Sequence, residues 1–188
     1  MTIPQFDDEG FLPPGRYRAL GDEVRARFVD PYPPDSPRRA IWEDWLTVTE
    51  LLKATVGTVC AAWIGGSFLS AKPAPDDIDS LYVVPEASLA AIAETDPRAK
   101  TLQLVTGHGP HGIRARYGLR VDTYLLSWAL NPAGAPRTQA DVLYCQWRGY
   151  WDDFWLRRRS GAKMDVPRPE DALPRRGYVE VILDGYNV

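Results

Sequence analysis

Cysteine and histidine are scarce in this chain of 188 residues, which has two of each. A structural zinc site needs about four Cys or His ligands at short spacings, and the sequence offers no such group. Cys60 and Cys145 stand among apolar residues, so we expect two buried free thiols in a reducing cytoplasm. His108 and His111 lie three apart in a Gly/Pro-rich segment, which is typical of an exposed loop but leaves metal ligation open.

Long apolar runs are also missing. No stretch approaches the roughly 20 apolar residues that span a bilayer, and Met1 to Asp8 lacks a basic stretch followed by an apolar run. The sequence therefore predicts a soluble, cytoplasmic protein without a membrane partner. The formal net charge of −3 argues against broad binding to a nucleic-acid backbone and leaves a local basic groove open.

Apolar and aromatic residues are plentiful enough for a core. Hydrophobic residues make up 45% of the chain, and seven Trp and nine Tyr supply large buried areas. The length suits one domain, so we predict a single domain over residues 1–188. Residues 1–20 are rich in Pro and Gly and predict an extended N-terminal arm.

Hydrophobic periodicity and breaker residues predict the regular elements. Helices are expected at 21–29, about 37–55, 86–106 with a break near Asp96-Pro97, and 139–155. Strands are expected at 58–64, 77–84, 119–128 and 178–183, and residues 107–118 are expected to form a loop. Helices mixed with few strands predict an α+β fold, with a small mixed sheet packed by helices.

Two aspartates begin the second predicted strand, in the sequence Asp77-Ile78-Asp79. Alternate residues of a strand share a face, so both carboxylates point the same way, with Cα atoms roughly 6.6 Å apart. Carboxylates at that spacing suit one or two divalent ions, and hard oxygen ligands favour Mg²⁺ or Mn²⁺. The adjacent Asp76 is expected to point to the opposite face.

A glycine pair ends the preceding predicted strand, in Gly65-Gly66-Ser67. Glycines without side chains let the backbone approach a ligand closely. If Ser67 opens a short helix, its hydroxyl and N–H groups face an incoming anion. The turn therefore predicts a phosphate site next to the aspartates.

The run Ile64-Gly65-Gly66-Ser67-Phe68, followed by Asp77-Ile78-Asp79, resembles the signature of the polymerase-beta-like nucleotidyltransferase superfamily. That signature is an apolar residue, Gly, then Gly or Ser, and later Asp, an apolar residue, and Asp or Glu. Ser80 departs from it, because members often have an apolar residue there. The head of the chain, with Phe6, Phe11 and Pro13-Pro14-Gly15, is also similar to that of small stand-alone bacterial members.

The resemblance implies a nucleotide site at Gly65, Gly66 and Ser67, and metal and catalytic ligands at Asp77 and Asp79. It also implies a third carboxylate on a later strand, and Asp122 fits that place. The implied reaction moves a nucleoside monophosphate from an NTP, here expected to be ATP, to an acceptor hydroxyl and releases pyrophosphate. Mg²⁺ or Mn²⁺ would be the cofactor, and Asp122 would take the acceptor's proton.

Three functions stay open at this point. The acceptor is expected to be a protein or a tRNA, as in toxin or defence systems, with an antitoxin as a further partner. It can instead be a small molecule, as in aminoglycoside modification. A third reading is a catalytically silent pseudoenzyme that binds nucleotide. The sequence leaves open whether Lys72 or the group Arg114, Arg116 and Arg120 contacts phosphate. It also leaves open whether base stacking or core packing uses the aromatic cluster of Trp147, Tyr150, Trp151, Phe154 and Trp155.

Overall fold

The computed structural model describes residues 3–107, 109–161 and 164–186. Its five strands are β1 Gly15–Ala19, β2 Ala61–Gly65, β3 Ile78–Pro85, β4 Val121–Trp128 and β5 Gly177–Ile182. Its six α-helices are α1 Gly21–Phe28, α2 Arg38–Val56, α3 Glu86–Ala90, α4 Pro97–Thr106, α5 Ile113–Tyr117 and α6 Gln139–Leu156. Single 3-10 turns occupy Ser67–Leu69, Gly109–His111 and Pro169–Ala172. None of the helices within these ranges is long and apolar enough to cross a membrane.

The strands form one mixed sheet in the order β1-β5-β2-β3-β4. The pairs β1/β5 and β3/β4 are parallel, whereas β2 runs antiparallel to both of its neighbours. Helices and a mixed sheet together make an α+β fold, which confirms the predicted class. In this order β2 and β3 are central, so the two predicted motifs lie on neighbouring strands.

One face of the sheet packs against α2. Ile41, Trp45 and Leu52 of this helix are completely or almost completely buried, at the spacing of one helical face. Trp45 stacks on Trp42 at 4.6 Å between ring centroids, and its Nε1 donates to Ser80 Oγ at 3.0 Å. The predicted helix thus forms, and it ends at Gly57, where φ is +84°.

The other face packs against α6. Its core consists mainly of large side chains from the sheet and one buried tryptophan from the helix: Trp63, Leu81, Val83, Leu126, Tyr178 and Trp155. Only part of α6 is covered, and Trp147, Tyr150 and Phe154 stay about half exposed. The aromatic cluster of this helix is therefore divided between core and surface.

Three local predictions differ from the structure. The end of the predicted arm is strand β1, whose parallel pairing with β5 makes it the edge of the sheet. The predicted loop over 107–118 contains α5, which ends at Gly118 with φ of +71°. Cys60 is buried, but Cys145 is exposed because it lies on the outer side of α6, so the expectation of two buried thiols was wrong.

The predicted break at Asp96-Pro97 is present. Helix α4 begins there, and the Asp96 carboxylate accepts a hydrogen bond from the Arg98 N–H at 2.8 Å.

Candidate active site

The aspartates occupy the α6-facing side of the sheet. Along β3, Ile78, Ser80 and Tyr82 are buried toward α2, while Leu81 packs in the core beneath α6. Asp79 is two residues before Leu81 and so lies on the same face of the strand, which places it on the α6 side at the start of β3. Ser80, at which the sequence departs from the superfamily pattern, is instead held in the core by Trp45.

Asp122 lies directly beside Asp79, because the parallel register of β3 and β4 pairs these two residues. Asp77, just before β3, is joined to the same group by Arg114. The Arg114 guanidinium donates a hydrogen bond to Asp77 and lies 3.9 Å from Asp122 Oδ1. The three acids, which we call the acid cluster, therefore lie together at one end of the sheet, with Arg114 between Asp77 and Asp122.

Gly66 brings the turn after β2 against the acid cluster. Its φ of +76° is a left-handed conformation that favours glycine, and a Cβ there would overlap the Asp79 carboxylate. Gly65 is the register partner of Asp79, and its missing side chain makes room for the Trp155 ring. Both glycines are thus explained by close approach of neighbouring groups. Ser67 begins the 3-10 turn Ser67–Leu69 and is half-buried.

A buried arginine holds this turn in place. The Arg38 guanidinium, which is completely buried, donates to the backbone carbonyls of Phe68, Ser70 and Lys72 at 2.7 Å each. It also donates to the Phe28 carbonyl at 2.9 Å. Burial lowers the pKa of Arg38, yet four carbonyl acceptors compensate the charge in place of a carboxylate. The segment that follows Gly66 is therefore tied to α2.

Two residues near the acid cluster were not identified from the sequence. Arg176, just before β5, donates from Nε to the Trp155 carbonyl at 3.1 Å. Burial lowers its pKa, and the charge of Asp79 opposes that shift, so the guanidinium lies near the acid. Tyr124 is two residues after Asp122 on the same face; burial raises the pKa of Tyr124 to about 12, and the three acids add to the shift. No local pattern marks either residue, because long-range strand pairing brings them there.

The other residues that the sequence suggested as phosphate or metal contacts lie away from the acid cluster or pair with other side chains. Arg120 donates from Nε to Asp44 of α2 at 3.0 Å, so it ties β4 to the helix. Lys72 pairs with the exposed Asp76 at 3.0 Å. His111 is exposed in its 3-10 turn, whereas His108 falls outside the described residues. Of the three candidate arginines, Arg114 is the one that contacts the acid cluster.

The acid cluster provides the donors that a divalent ion prefers, but Arg114 stands among them. Within residues 3–107, 109–161 and 164–186, no group of three His, Cys, Asp or Glu side chains is arranged to hold a metal ion. Carboxylate oxygens suit Mg²⁺, and clustered acids need a counter-charge. The Arg114 guanidinium supplies a positive charge to Asp77 and lies near Asp122 in this arrangement.

An open cavity of about 580 Å³ lies beside Asp122, which is the member of the acid cluster that lines it. Arg114, Asp122 and Tyr124 line one part of it, and the backbone around Gly107, Gly109 and Gly112 lines another. Its volume lies within the range of about 300–1,000 Å³ typical of small-molecule sites. The charged end of a ligand would thus reach Asp122 and Arg114 from solvent.

Comparison with known proteins identifies a family for nearly the whole chain. No curated protein matches this sequence, and no solved structure matches this chain. A family model described as a family of unknown function, DUF6932, matches residues 4–182. The match includes every strand of the sheet and all three acids of the cluster. The chain therefore belongs to the DUF6932 family.

Proposed function

We propose that this protein is a metal-dependent nucleotidyltransferase, which moves a nucleoside monophosphate from an NTP to an acceptor hydroxyl. One observation carries the proposal. Asp79 and Asp122 are register partners on one face of the sheet, and Gly66 abuts Asp79 so closely that no side chain fits between them. A phosphate chain lying on the Gly66 backbone would therefore be next to the carboxylates.

In this proposal, Asp77, Asp79 and Asp122 would hold Mg²⁺ or Mn²⁺. The ions, when bound, neutralise charge on the phosphates and align the attacking and leaving oxygens. Gly66 presents backbone to the phosphates, and Ser67 offers its hydroxyl. The acceptor oxygen attacks the α-phosphorus, its proton passes to Asp122, and the bond to the departing pyrophosphate breaks.

Arg114 has two partners in this scheme. Without nucleotide it neutralises Asp77 and lies near Asp122. On nucleotide binding, the guanidinium would exchange Asp77 for phosphate oxygens, for which its planar fork of donors is well suited. The half-exposed position of Arg114 on the short helix α5 leaves room for that movement.

The test is to incubate the pure protein with each α-labelled NTP, Mg²⁺ and total cell extract. Label should move to a protein, an RNA or a small molecule, and the fraction that carries it identifies the acceptor class. Asp79→Asn and Asp122→Asn keep side-chain size but remove a metal ligand, so each should reduce transfer at least about 100-fold. Asp76→Asn is the matched control, because Asp76 is an exposed aspartate that pairs with Lys72 and is not a member of the acid cluster.

A second candidate function is nucleotide binding without turnover. It is favoured by the Arg114 guanidinium, which supplies a positive charge to Asp77 and lies near Asp122. Thermal melts separate the two. The enzyme requires wild type to gain stability on adding Mg²⁺ with NTP, by about 2.7 kcal/mol at 100 times the dissociation constant, and Asp77→Ala to gain much less. Nucleotide binding that needs no divalent ion, without label transfer, would identify the silent form and exclude the enzyme.

A further inference from the structure

A second cavity, of about 730 Å³, lies between the edge strand β4 and the first half of α6. Its walls are mostly apolar and aromatic, with the principal side chains Tyr124, Leu126, Leu143, Tyr144, Trp147 and Trp151. We call it the aromatic cavity. Glu86 and Gln139, both exposed, also line it. Glu86 is the one charged side chain among its lining residues.

The aromatic cavity is next to the acid cluster. Tyr124 lines both this cavity and the one that contains Asp122 and Arg114. Asp122 and Tyr124 are two residues apart on β4 and therefore lie on the same face, with their Cα atoms roughly 6.6 Å apart. One ligand can thus place an anionic end at the acid cluster and an uncharged part beyond Tyr124.

The aromatic side chains of the cavity are arranged to receive a flat ring. Tyr124 and Trp151 support each other, with ring centroids 4.7 Å apart. Trp147 meets Tyr150 edge to face at 5.7 Å, yet 48% of Trp147 stays exposed. A large aromatic that is half exposed and lines a cavity gains from a partner on its open side, because stacking removes apolar area from water.

We propose that the aromatic cavity binds the nucleotide's base, with a preference for a base that carries an exocyclic amino group. This assignment rests on the proposed nucleotidyl transfer, which places the phosphates at the acid cluster. A nucleotide has the required distribution of chemistry: charge at one end and a planar, uncharged ring at the other. Aromatic side chains stack on any base, so the stacking surface alone gives little selectivity.

Glu86 supplies the selectivity. Its carboxylate only accepts hydrogen bonds at neutral pH, so it pairs with an amino group such as that of adenine or cytosine. Uracil presents a carbonyl oxygen at the corresponding position, which a carboxylate repels. Gln139 offers both a donor and an acceptor and tolerates either base. ATP and CTP are therefore preferred over UTP.

The experiment uses uncharged nucleosides without any metal, so that it does not depend on the acid cluster. The full chain is titrated with adenosine and with uridine, while tryptophan fluorescence is followed under excitation that nucleosides do not absorb. We expect saturable quenching by adenosine and weaker binding of uridine. Trp147→Ala should weaken adenosine binding about 5- to 150-fold, the range expected when one stacking partner is lost.

Val142→Ala is the matched control, because Val142 is exposed on α6 to nearly the same extent as Trp147 but does not line the cavity. It should leave adenosine binding unchanged. Trp147→Phe keeps a ring and should bind within a few-fold of wild type, which keeps the test valid should Trp147→Ala fail to fold. Glu86→Gln should bring the adenosine-to-uridine affinity ratio close to one, because an amide both donates and accepts.

The results separate this proposal from the proposed function. The base site is overturned by absence of nucleoside quenching, or by equal losses in Trp147→Ala and Val142→Ala, even where label transfer is observed. An unchanged affinity ratio in Glu86→Gln overturns the selectivity. Adenosine binding that Trp147→Ala removes, in a protein that transfers no label, supports the base site while the transfer function fails.

Discussion

The two faces of the sheet differ in what they carry, although the same strands supply both. The α2 face is closed: Ile78, Ser80 and Tyr82 are buried against the helix, and Tyr82 Oη lies 2.9 Å from Thr49 Oγ1 of α2. The α6 face is closed only along its middle, and at the beginnings of β3 and β4 it presents acids to solvent. Adjacent residues such as Asp79 and Ser80 therefore serve different purposes. The alternation of a strand allows chemistry and core packing to be combined in one segment.

The largest loss of stability should come from removing a buried side chain between α2 and the sheet. Trp45→Ala removes a buried ring, its stacking on Trp42 and its bond to Ser80, so we expect a loss of about 3–5 kcal/mol in free energy of unfolding. Leu46→Ala is the control, since Leu46 is 37% exposed on the same helix, and it should cost about 1 kcal/mol or less. Denaturant unfolding measures both. Equal losses would contradict the assignment of Trp45 to the closed face.

Substitutions at adjacent residues should then separate chemistry from stability. Asp79→Ala should reduce label transfer at least about 100-fold while changing unfolding free energy little, because it removes one of several repelling acids. Ser80→Ala should do the opposite. It leaves the buried Trp45 N–H without its acceptor and should cost about 1–3 kcal/mol. Transfer assays and denaturant unfolding on both variants test the contrast, which fails if Ser80→Ala alone abolishes transfer in folded protein.

The next largest effect on the α6 face should come from a substitution in the turn at Gly66. Gly66→Ala forces a side chain into a left-handed backbone and into the Asp79 carboxylate, so it should cost about 1–3 kcal/mol and also weaken NTP binding. Gly57→Ala separates the two causes. Gly57 has φ of +84°, but a Cβ there meets nothing within 4 Å. It should carry the backbone strain alone and keep full NTP affinity in calorimetry.

The smallest effect concerns the two thiols. Burial raises the pKa of Cys60 to about 11, so little thiolate forms there at pH 8. Cys145 is exposed on α6. A thiol reagent at pH 8 should therefore modify one thiol in the native protein, and Cys145→Ser should abolish that reaction. Cys60 should react after unfolding or as the pH approaches its pKa. Fast modification of Cys60 at pH 8 would mean that the α6 face is more open than described.

The sequence by itself determined the elements that have strong local signals. Helix α2 follows from apolar residues at helical spacing and from Gly57. Strand β3 follows from its apolar and β-branched residues, such as Ile78 and Val83. The glycine pair indicated a close approach, and the structure identifies the Trp155 ring and the Asp79 carboxylate as the neighbours. Each of these inferences needs only residues that are close in the chain.

Tertiary structure alone decided what depends on distant partners. Strand β1 has no apolar alternation of its own and forms because β5 offers its edge, where Glu180 attracts Arg18 at 3.4 Å. The choice of Arg114 rather than Arg120 as the cation among the acids depends on where α5 lies against β4, and Asp44 takes Arg120. The packing of α6, which encloses the aromatic cavity, likewise has no local signature. Pairing between strands is set by contacts far apart in sequence, and such contacts leave no periodic pattern to find.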